Sequence, residues 1–157
     1  MGFLAAGYHV IGVDIVKHPD YPKEAEFLQA DCETLDGHQF TAIHVIWASP
    51  PCQEFSRWRM PWTRKRATEP SLKLIEAAYR IKSEVMPKVF ILENVREAQR
   101  WLGPAILQRA GRYLWGDVAL APLVEAAAKE SYPGNRPDLR SKVPFDLAYS
   151  LASMMRP

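Results

Sequence analysis

The chain has 157 residues, of which 48% are hydrophobic, and a formal net charge of +2 at pH 7. This length and apolar content indicate one domain with a single core over residues 1–157. No apolar run approaches the ~18 residues of a membrane-spanning helix and no signal peptide is present, so we expect a cytoplasmic protein without a membrane partner. The two cysteines form no C-x-x-C pair and the four histidines have no metal-ligand spacing, which argues against a disulfide scaffold or a zinc site.

The N-terminal part predicts two strands that end near acidic residues. Residues 6–15 indicate the end of a helix, a stop at Gly7, and a strand that closes on Asp14. An acid at the end of the second strand of a Rossmann-like sheet commonly binds ribose hydroxyls. Residues 27–32 predict the next strand, which places Asp31 near its end. For both aspartates, a loop or helix-capping role is the open alternative.

Cys52 follows a predicted strand and two prolines. The apolar run from Ile43 to Trp47 predicts a buried strand, which cannot continue through Pro50 and Pro51 because proline fixes φ and donates no N–H. Cys52 is then expected outside the carboxyl end of the strand, where open α/β sheets bind their ligands. A thiol held there is a candidate nucleophile, whereas most free cysteines are buried and inert.

The segment after Cys52 is rich in cations. Residues 57–66 carry five cations, two tryptophans and no acid. Cations contact phosphates and aromatic faces stack on displaced bases, so this segment predicts contact with DNA. A solvated basic loop is the alternative. The cations are Arg57, Arg59, Arg64, Lys65 and Arg66.

A predicted helix and a second strand place Glu93 beside Cys52. Residues 71–85 have apolar positions on one helical face and charged positions opposite. The apolar run over residues 89–95 then predicts a buried parallel strand with Glu93 near its end. A right-handed strand–helix–strand crossover brings both carboxyl ends to one edge of the sheet, so we expect Cys52 and Glu93 to face one cleft.

The C-terminal third predicts fewer features. Residues 112–116 indicate a strand and residues 132–140, rich in proline and glycine, indicate a loop. Residues 143–155 predict a helix whose apolar stripe packs in the core rather than forming a binding surface.

Pro51-Cys52-Gln53 and Glu93-Asn94-Val95 resemble two motifs of the DNA (cytosine-5)-methyltransferase family. Residues 49–56 and Tyr113-Leu114-Trp115-Gly116 are most similar to small phage-type members, and the resemblance runs from Gly7 to about Met155. It implies an α/β, Rossmann-like methyltransferase fold that uses S-adenosylmethionine to methylate carbon 5 of cytosine in DNA. It also implies a restriction-modification context in a bacterial or phage-infected cell.

The resemblance implies a role for each catalytic residue. The thiolate of Cys52 adds to carbon 6 of the ring and makes carbon 5 nucleophilic. Glu93 contacts ring N3 and the exocyclic amine, and Asn94 shapes the turn that presents Glu93. The base must be flipped out of the duplex to reach them.

The resemblance also implies the binding residues. For S-adenosylmethionine, Asp14 binds the ribose, Ile15 packs on the adenine and Asp31 accepts from the adenine amino group, with Cys32 and Pro50 completing the site.

For DNA, the loop after Cys52 closes over the flipped nucleotide. Gln53, Ser56 and Arg57 then contact the backbone together with the other cations of residues 57–66. Arg112 contacts a phosphate.

Two parts of the family pattern have no counterpart in the printed sequence. Residues 1–7 match only the helix after the first strand and glycine-rich cofactor loop, so we expect an N-terminally truncated fold that an upstream segment or another chain completes. A separate target-recognition domain is also missing. The main alternative function is a non-catalytic nucleic-acid-binding remnant of the same fold, and a thiol enzyme acting on free pyrimidine nucleotides is a third.

Overall fold

A computed structural model describes residues 1–59, 61–65, 68–109, 111–117 and 145–155. Its elements are, in chain order, α1 (Gly2–Ala5), β1 (Ile11–Asp14), β2 (Glu26–Gln29), β3 (Val45–Ala48), α2 (Gln53–Ser56), α3 (Pro61–Arg64), α4 (Lys73–Val85), β4 (Val89–Asn94), α5 (Gln99–Leu102), β5 (Leu107–Arg109), β6 (Arg112–Gly116) and α6 (Phe145–Met154). Short 3-10 helices cover Gly37–Gln39 and Arg96–Ala98. The chain is therefore a mixed α/β protein, as predicted. None of the helices in these described ranges is long and apolar enough to span a membrane.

The chain divides into two compact units, and the first contains residues 1–29 and helix α6. Strands β1 and β2 pair in parallel with Asp14 opposite Gln29. Helix α1 packs closely on α6, since a Cβ added at Gly2 would lie 2.6 Å from the Cβ of Ala148. Leu147 and Leu151 are fully buried in this unit. The prediction that the stripe of the last helix packs in the core is confirmed.

The second unit, residues 30–118, contains a four-stranded sheet in the order β3-β4-β6-β5. β3 and β4 are parallel, with Ala48 opposite Leu92, and α4 provides the crossover between them. Apolar side chains of the sheet, of α4 and of neighbouring segments form one core. Its buried members are Phe55, Ile75, Ala78, Phe90, Leu92, Ala98 and Trp115. The predicted strand–helix–strand arrangement is confirmed.

Strand β6 makes the sheet mixed, because it runs antiparallel to both β4 and β5. Only two residues separate β5 from β6, and such a short connection permits only an antiparallel hairpin. Gly111 in this turn has φ +76°, a left-handed conformation that glycine adopts without strain.

Two predicted strands differ from the structure. β3 covers residues 45–48 and is half-buried rather than buried, because it pairs on one side only among the described strands. β2 ends at Gln29, so Asp31 lies in the turn beyond the strand, where its Oδ1 accepts a hydrogen bond from the Glu33 N–H at 2.9 Å.

Candidate active site

The turn after β3 is held by backbone hydrogen bonds and by an aromatic anchor. Cys52 precedes helix α2, and its carbonyl oxygen accepts hydrogen bonds from both the N–H and the hydroxyl of Ser56, each at 2.9 Å. Phe55 in the same helix is buried and packs edge-on against Trp101, with ring centroids 5.5 Å apart. Cys52 itself is half-buried and forms no disulfide. This free thiol therefore sits on a turn that the core holds in place.

A buried amide joins this turn to the end of β4. Asn94 is 1% exposed, its Nδ2 donates to the Pro50 carbonyl at 3.2 Å, and its Oδ1 accepts from the Val95 N–H at 2.9 Å. One side chain thus satisfies polar backbone groups of both turns. The segments that carry Cys52 and Glu93 meet at one edge of the sheet, as the parallel pairing of their strands requires.

Glu93 is paired with Arg112 inside the sheet unit. Nη1 of Arg112 donates to Oε1 of Glu93 at 3.1 Å, and the two side chains are 14% and 6% exposed. Glu93 lies opposite Leu114 in the antiparallel pair, and Arg112 is two residues before Leu114. The two charged residues are therefore diagonal neighbours on one face.

This pairing adds a contact for Arg112 that the sequence-based prediction did not include. Its phosphate contact stays a prediction, but its guanidinium already has a carboxylate partner within the protein. The antiparallel register of β6, which the residue pattern did not predict, is the physical reason.

The cations that follow Cys52 lie mostly at the surface. Arg57, Arg59, Arg64 and Lys65 are exposed, as is Gln53, while Arg66 lies outside the described residues. Ser56 is half-buried and uses its hydroxyl proton on the Cys52 carbonyl.

The two tryptophans of this segment differ in their surroundings. Trp62 is 68% exposed, whereas Trp58 is half-buried and packs edge-on against Trp101 with ring centroids 5.5 Å apart. Arg100 lies 4.3 Å above the Trp58 ring. Trp62 therefore presents a free surface for stacking, and Trp58 is part of a packed cluster.

The segment that carries these residues matches a known protein family. The model of the C-5 cytosine-specific DNA methylase family matches residues 19–101, more than half of the chain. The chain belongs to this family. The matched range includes Cys52, Glu93 and the basic segment, whereas Asp14 precedes it and Arg112 follows it. No match to the chain was found among curated proteins or among solved structures.

The residues predicted to hold the cofactor of this methylase family are distributed over both units. In the first unit, Asp14 ends β1 with a half-exposed side chain, and its Oδ1 accepts from the Val16 N–H at 3.0 Å. Ile15 follows this strand and is 62% exposed. In the second unit, Pro50 and Cys32 are half-buried and their carbonyl groups accept hydrogen bonds from other side chains.

A cluster of Asp36, His38 and Glu84 brings together three potential metal ligands. Arg80 already neutralises Glu84 at 2.7 Å, and the Gly37 N–H donates to the same carboxylate at 2.7 Å. The hydrogen bond from Arg80 and then that from Gly37 lower the pKa of Glu84. The cluster therefore works as an ion-pair network that attaches residues 32–38 to α4.

The sequence reasoning missed two functional groupings in this methylase domain. One is the Glu93–Arg112 pair, which the diagonal rule for antiparallel strands would have found once β6 was paired with β4. The other is the packing of Arg100 on Trp58, between segments more than forty residues apart in the chain. No local pattern indicates that contact.

Proposed function

We propose that this chain transfers a methyl group from S-adenosylmethionine to carbon 5 of cytosine in DNA, as a small phage-type member of its family. One observation carries the proposal: the Asn94 amide bonds to the Pro50 carbonyl and so holds the Cys52 and Glu93 turns together. In a chain of the C-5 cytosine-specific DNA methylase family, this arrangement supports Cys52 as nucleophile and Glu93 as the group that contacts the base.

The proposed reaction begins with the Cys52 thiolate. Its sulfur forms a bond to carbon 6 of cytosine, and the electron pair of the ring double bond moves to carbon 5. S-adenosylmethionine supplies an electrophilic methyl group, which carbon 5 takes up while S-adenosylhomocysteine leaves. A base then removes the proton from carbon 5, for which water is sufficient. The ring double bond re-forms and the Cys52 thiolate is expelled.

Glu93 is proposed to bind ring N3 and the exocyclic amine during the attack. A carboxylate is effective there only if its position is fixed before the base arrives. The charge-assisted hydrogen bond from Arg112 to Oε1 restrains the Glu93 side chain in one orientation. In this proposal Arg112 is a positioning residue rather than a catalytic one.

The first unit offers features that suit the adenosine part of the cofactor. The exposed apolar surface of Ile15 fits an adenine ring, and the half-exposed carboxylate of Asp14 fits ribose hydroxyls. On the resemblance alone, we propose Asp31, Cys32 and Pro50 as further residues that bind the cofactor.

We propose that residues 1–157 form one catalytic domain, and that the strand edges within each unit take up a further strand. Within the described residues, β3 pairs only with β4 and β1 only with β2. A sheet edge with unpaired N–H and C=O groups is a surface on which another strand adds. A segment outside the described residues or another chain is the proposed donor.

The decisive experiment uses DNA that contains 5-fluorocytosine, with S-adenosylmethionine present or omitted. Fluorine on carbon 5 blocks the last elimination, so the reacting protein stays bound to the base through sulfur. Intact-mass analysis should show a cofactor-dependent adduct that is absent in Cys52→Ala. The matched control is Cys32→Ala, which removes the other cysteine and should still form the adduct. An adduct that survives in Cys52→Ala would refute the proposal.

The non-catalytic alternative is favoured by the exposed cations after Cys52, which can bind DNA without any chemistry. It predicts DNA binding without an adduct and without affinity for S-adenosylmethionine. Calorimetry with the cofactor alone separates the two functions. Free dCMP that reacts as a substrate would instead support the nucleotide-modifying alternative.

A further inference from the structure

A pocket lies between the segments that follow the two proposed catalytic residues. We call it the arginine–tryptophan pocket, and it has a volume of about 290 Å³. Its lining residues are Trp58, Arg64, Arg96, Glu97, Gln99 and Arg100.

The pocket is built beside two tryptophan rings that pack edge to face. Trp58 packs edge-on against Trp101, and the Nε1 of Trp101 donates to Glu69 at 2.8 Å. The guanidinium of Arg100 lies 4.3 Å from the Trp58 centroid and 5.4 Å from that of Trp101. Contact with both rings restrains this guanidinium, although the Arg100 side chain is still 51% exposed.

The charge of the pocket is positive. Three arginines line it against one carboxylate, that of Glu97. In the part of the chain that the structure describes, Arg64 and Arg96 have no ion-pair partner, and Arg100 has only the Glu69 carboxylate at 4.0 Å. All three arginines are exposed. Exposed guanidinium groups that converge in this way favour a phosphate oxygen as their ligand.

The position of the pocket relates it to the proposed target base. Trp58 is six residues after Cys52, and Arg96 is three residues after Glu93. The Asn94–Pro50 contact and the Phe55–Trp101 packing hold these two segments against each other. The pocket therefore lies against the segments that follow Cys52 and Glu93 in the chain.

We propose that the arginine–tryptophan pocket binds one backbone phosphate of the DNA next to the target cytosine. Arg96 and Arg100 donate to the phosphate, Arg64 adds charge, and Trp58 positions Arg100 rather than stacking on a base. The inference rests on the proposed function, since it takes DNA as the ligand.

The test measures how the affinity for a short fluorescent DNA duplex depends on salt, by anisotropy, for the full chain. Each phosphate contact contributes about 0.9 to the slope of log affinity against log salt concentration. Arg96→Gln and Arg100→Gln should each weaken binding. The double variant should reduce the magnitude of the slope by about 0.9 in total, because the two residues share a single phosphate. Lys88→Gln is the matched control, since this exposed lysine precedes β4 and lies at the other end of the sheet.

Two outcomes would overturn the proposal. An unchanged slope in the double variant would exclude the phosphate contact, and a fall of about 1.8 would mean two separate phosphates and no shared pocket. Trp58→Phe keeps a ring face and should bind nearly as wild type, whereas Trp58→Ala should bind more weakly although no charge is lost. Thermal melting verifies that each variant is folded.

The 5-fluorocytosine adduct keeps this inference separate from the proposed function. An adduct together with an unchanged slope retains the methyl transfer and rejects the pocket. A lowered slope without any adduct retains the pocket as a DNA-binding feature and rejects the methyl transfer.

Discussion

Replacing Arg112 by methionine tests the buried ion pair on which the orientation of Glu93 depends. The guanidinium and the carboxylate are 3.1 Å apart, and both side chains are largely shielded from water. Removal of one partner of such a pair leaves an uncompensated charge and costs about 3–5 kcal/mol of unfolding free energy. Because neither side chain is exposed, solvent screening reduces this figure little. Arg112→Met should therefore be strongly destabilised.

The companion variants isolate the pair from the loss of packing. Arg112→Met/Glu93→Leu removes both charges and replaces them by apolar side chains, which is often neutral or stabilising by about 1–4 kcal/mol. Urea unfolding followed by circular dichroism gives the free energy of unfolding of the wild type, both single variants and the double variant. The reasoning is wrong if Arg112→Met loses less than about 1 kcal/mol, or if the two single effects simply add in the double variant.

Three further predictions concern the surroundings of the site. Asn94→Ala leaves the Pro50 carbonyl without its buried donor, so the free energy of unfolding in urea should fall by about 1–3 kcal/mol. The variant should also form the 5-fluorocytosine adduct more slowly. Wild-type values for both quantities would contradict the role of the Asn94–Pro50 hydrogen bond. Glu84→Gln should lower the melting temperature near neutral pH, because the hydrogen bond from Arg80 lowers the pKa of Glu84 in the folded state. The stabilisation by the charged Glu84 is present above the ordinary glutamate pKa of about 4.3 and disappears as the pH falls through the lower pKa of the folded state. The melting temperatures of wild type and Glu84→Gln should therefore converge in acid. A difference between them that grows in acid would refute this prediction. Gly116→Ala should lower the free energy of unfolding in urea by more than about 1 kcal/mol, since Gly116 has φ +100° and an added Cβ would collide with a carbonyl of β4. A wild-type urea midpoint would show that the backbone adapts.

The proposed methyl transfer and the proposed phosphate pocket depend on the same short-range feature. The two turns that follow β3 and β4 are held together by the Asn94 amide, and the helices after them are held by aromatic packing. A change in either contact would move a catalytic residue and a DNA-binding arginine together. Adduct formation and DNA affinity should therefore decline in parallel in Asn94→Ala, whereas Arg96→Gln should affect affinity and leave adduct formation intact at saturating DNA.

The sequence alone determined the features that depend on local pattern. The apolar runs before Cys52 and around Glu93 are short and rich in branched and aromatic residues, which favours strands, and the amphipathic period between them favours a helix. The parallel crossover then requires that the two residues share an edge of the sheet. The two motifs also identified the family, since they carry its chemistry in a few adjacent residues. The predicted loop over residues 132–140 lies outside the described residues and stays a prediction.

The tertiary structure decided which charges meet. Strand β6 pairs antiparallel with β4, and only that register brings Arg112 to Glu93. Arg100 reaches Trp58 because helix α5 folds back on the segment after Cys52. Neither contact has a signal in the sequence, because the partners are distant in the chain and because arginine is as common on a solvated surface as in an ion pair. The physical reason is that the free energy of a contact between residues distant in the chain depends on the tertiary geometry. Local patterns specify only the helices and strands that carry those residues.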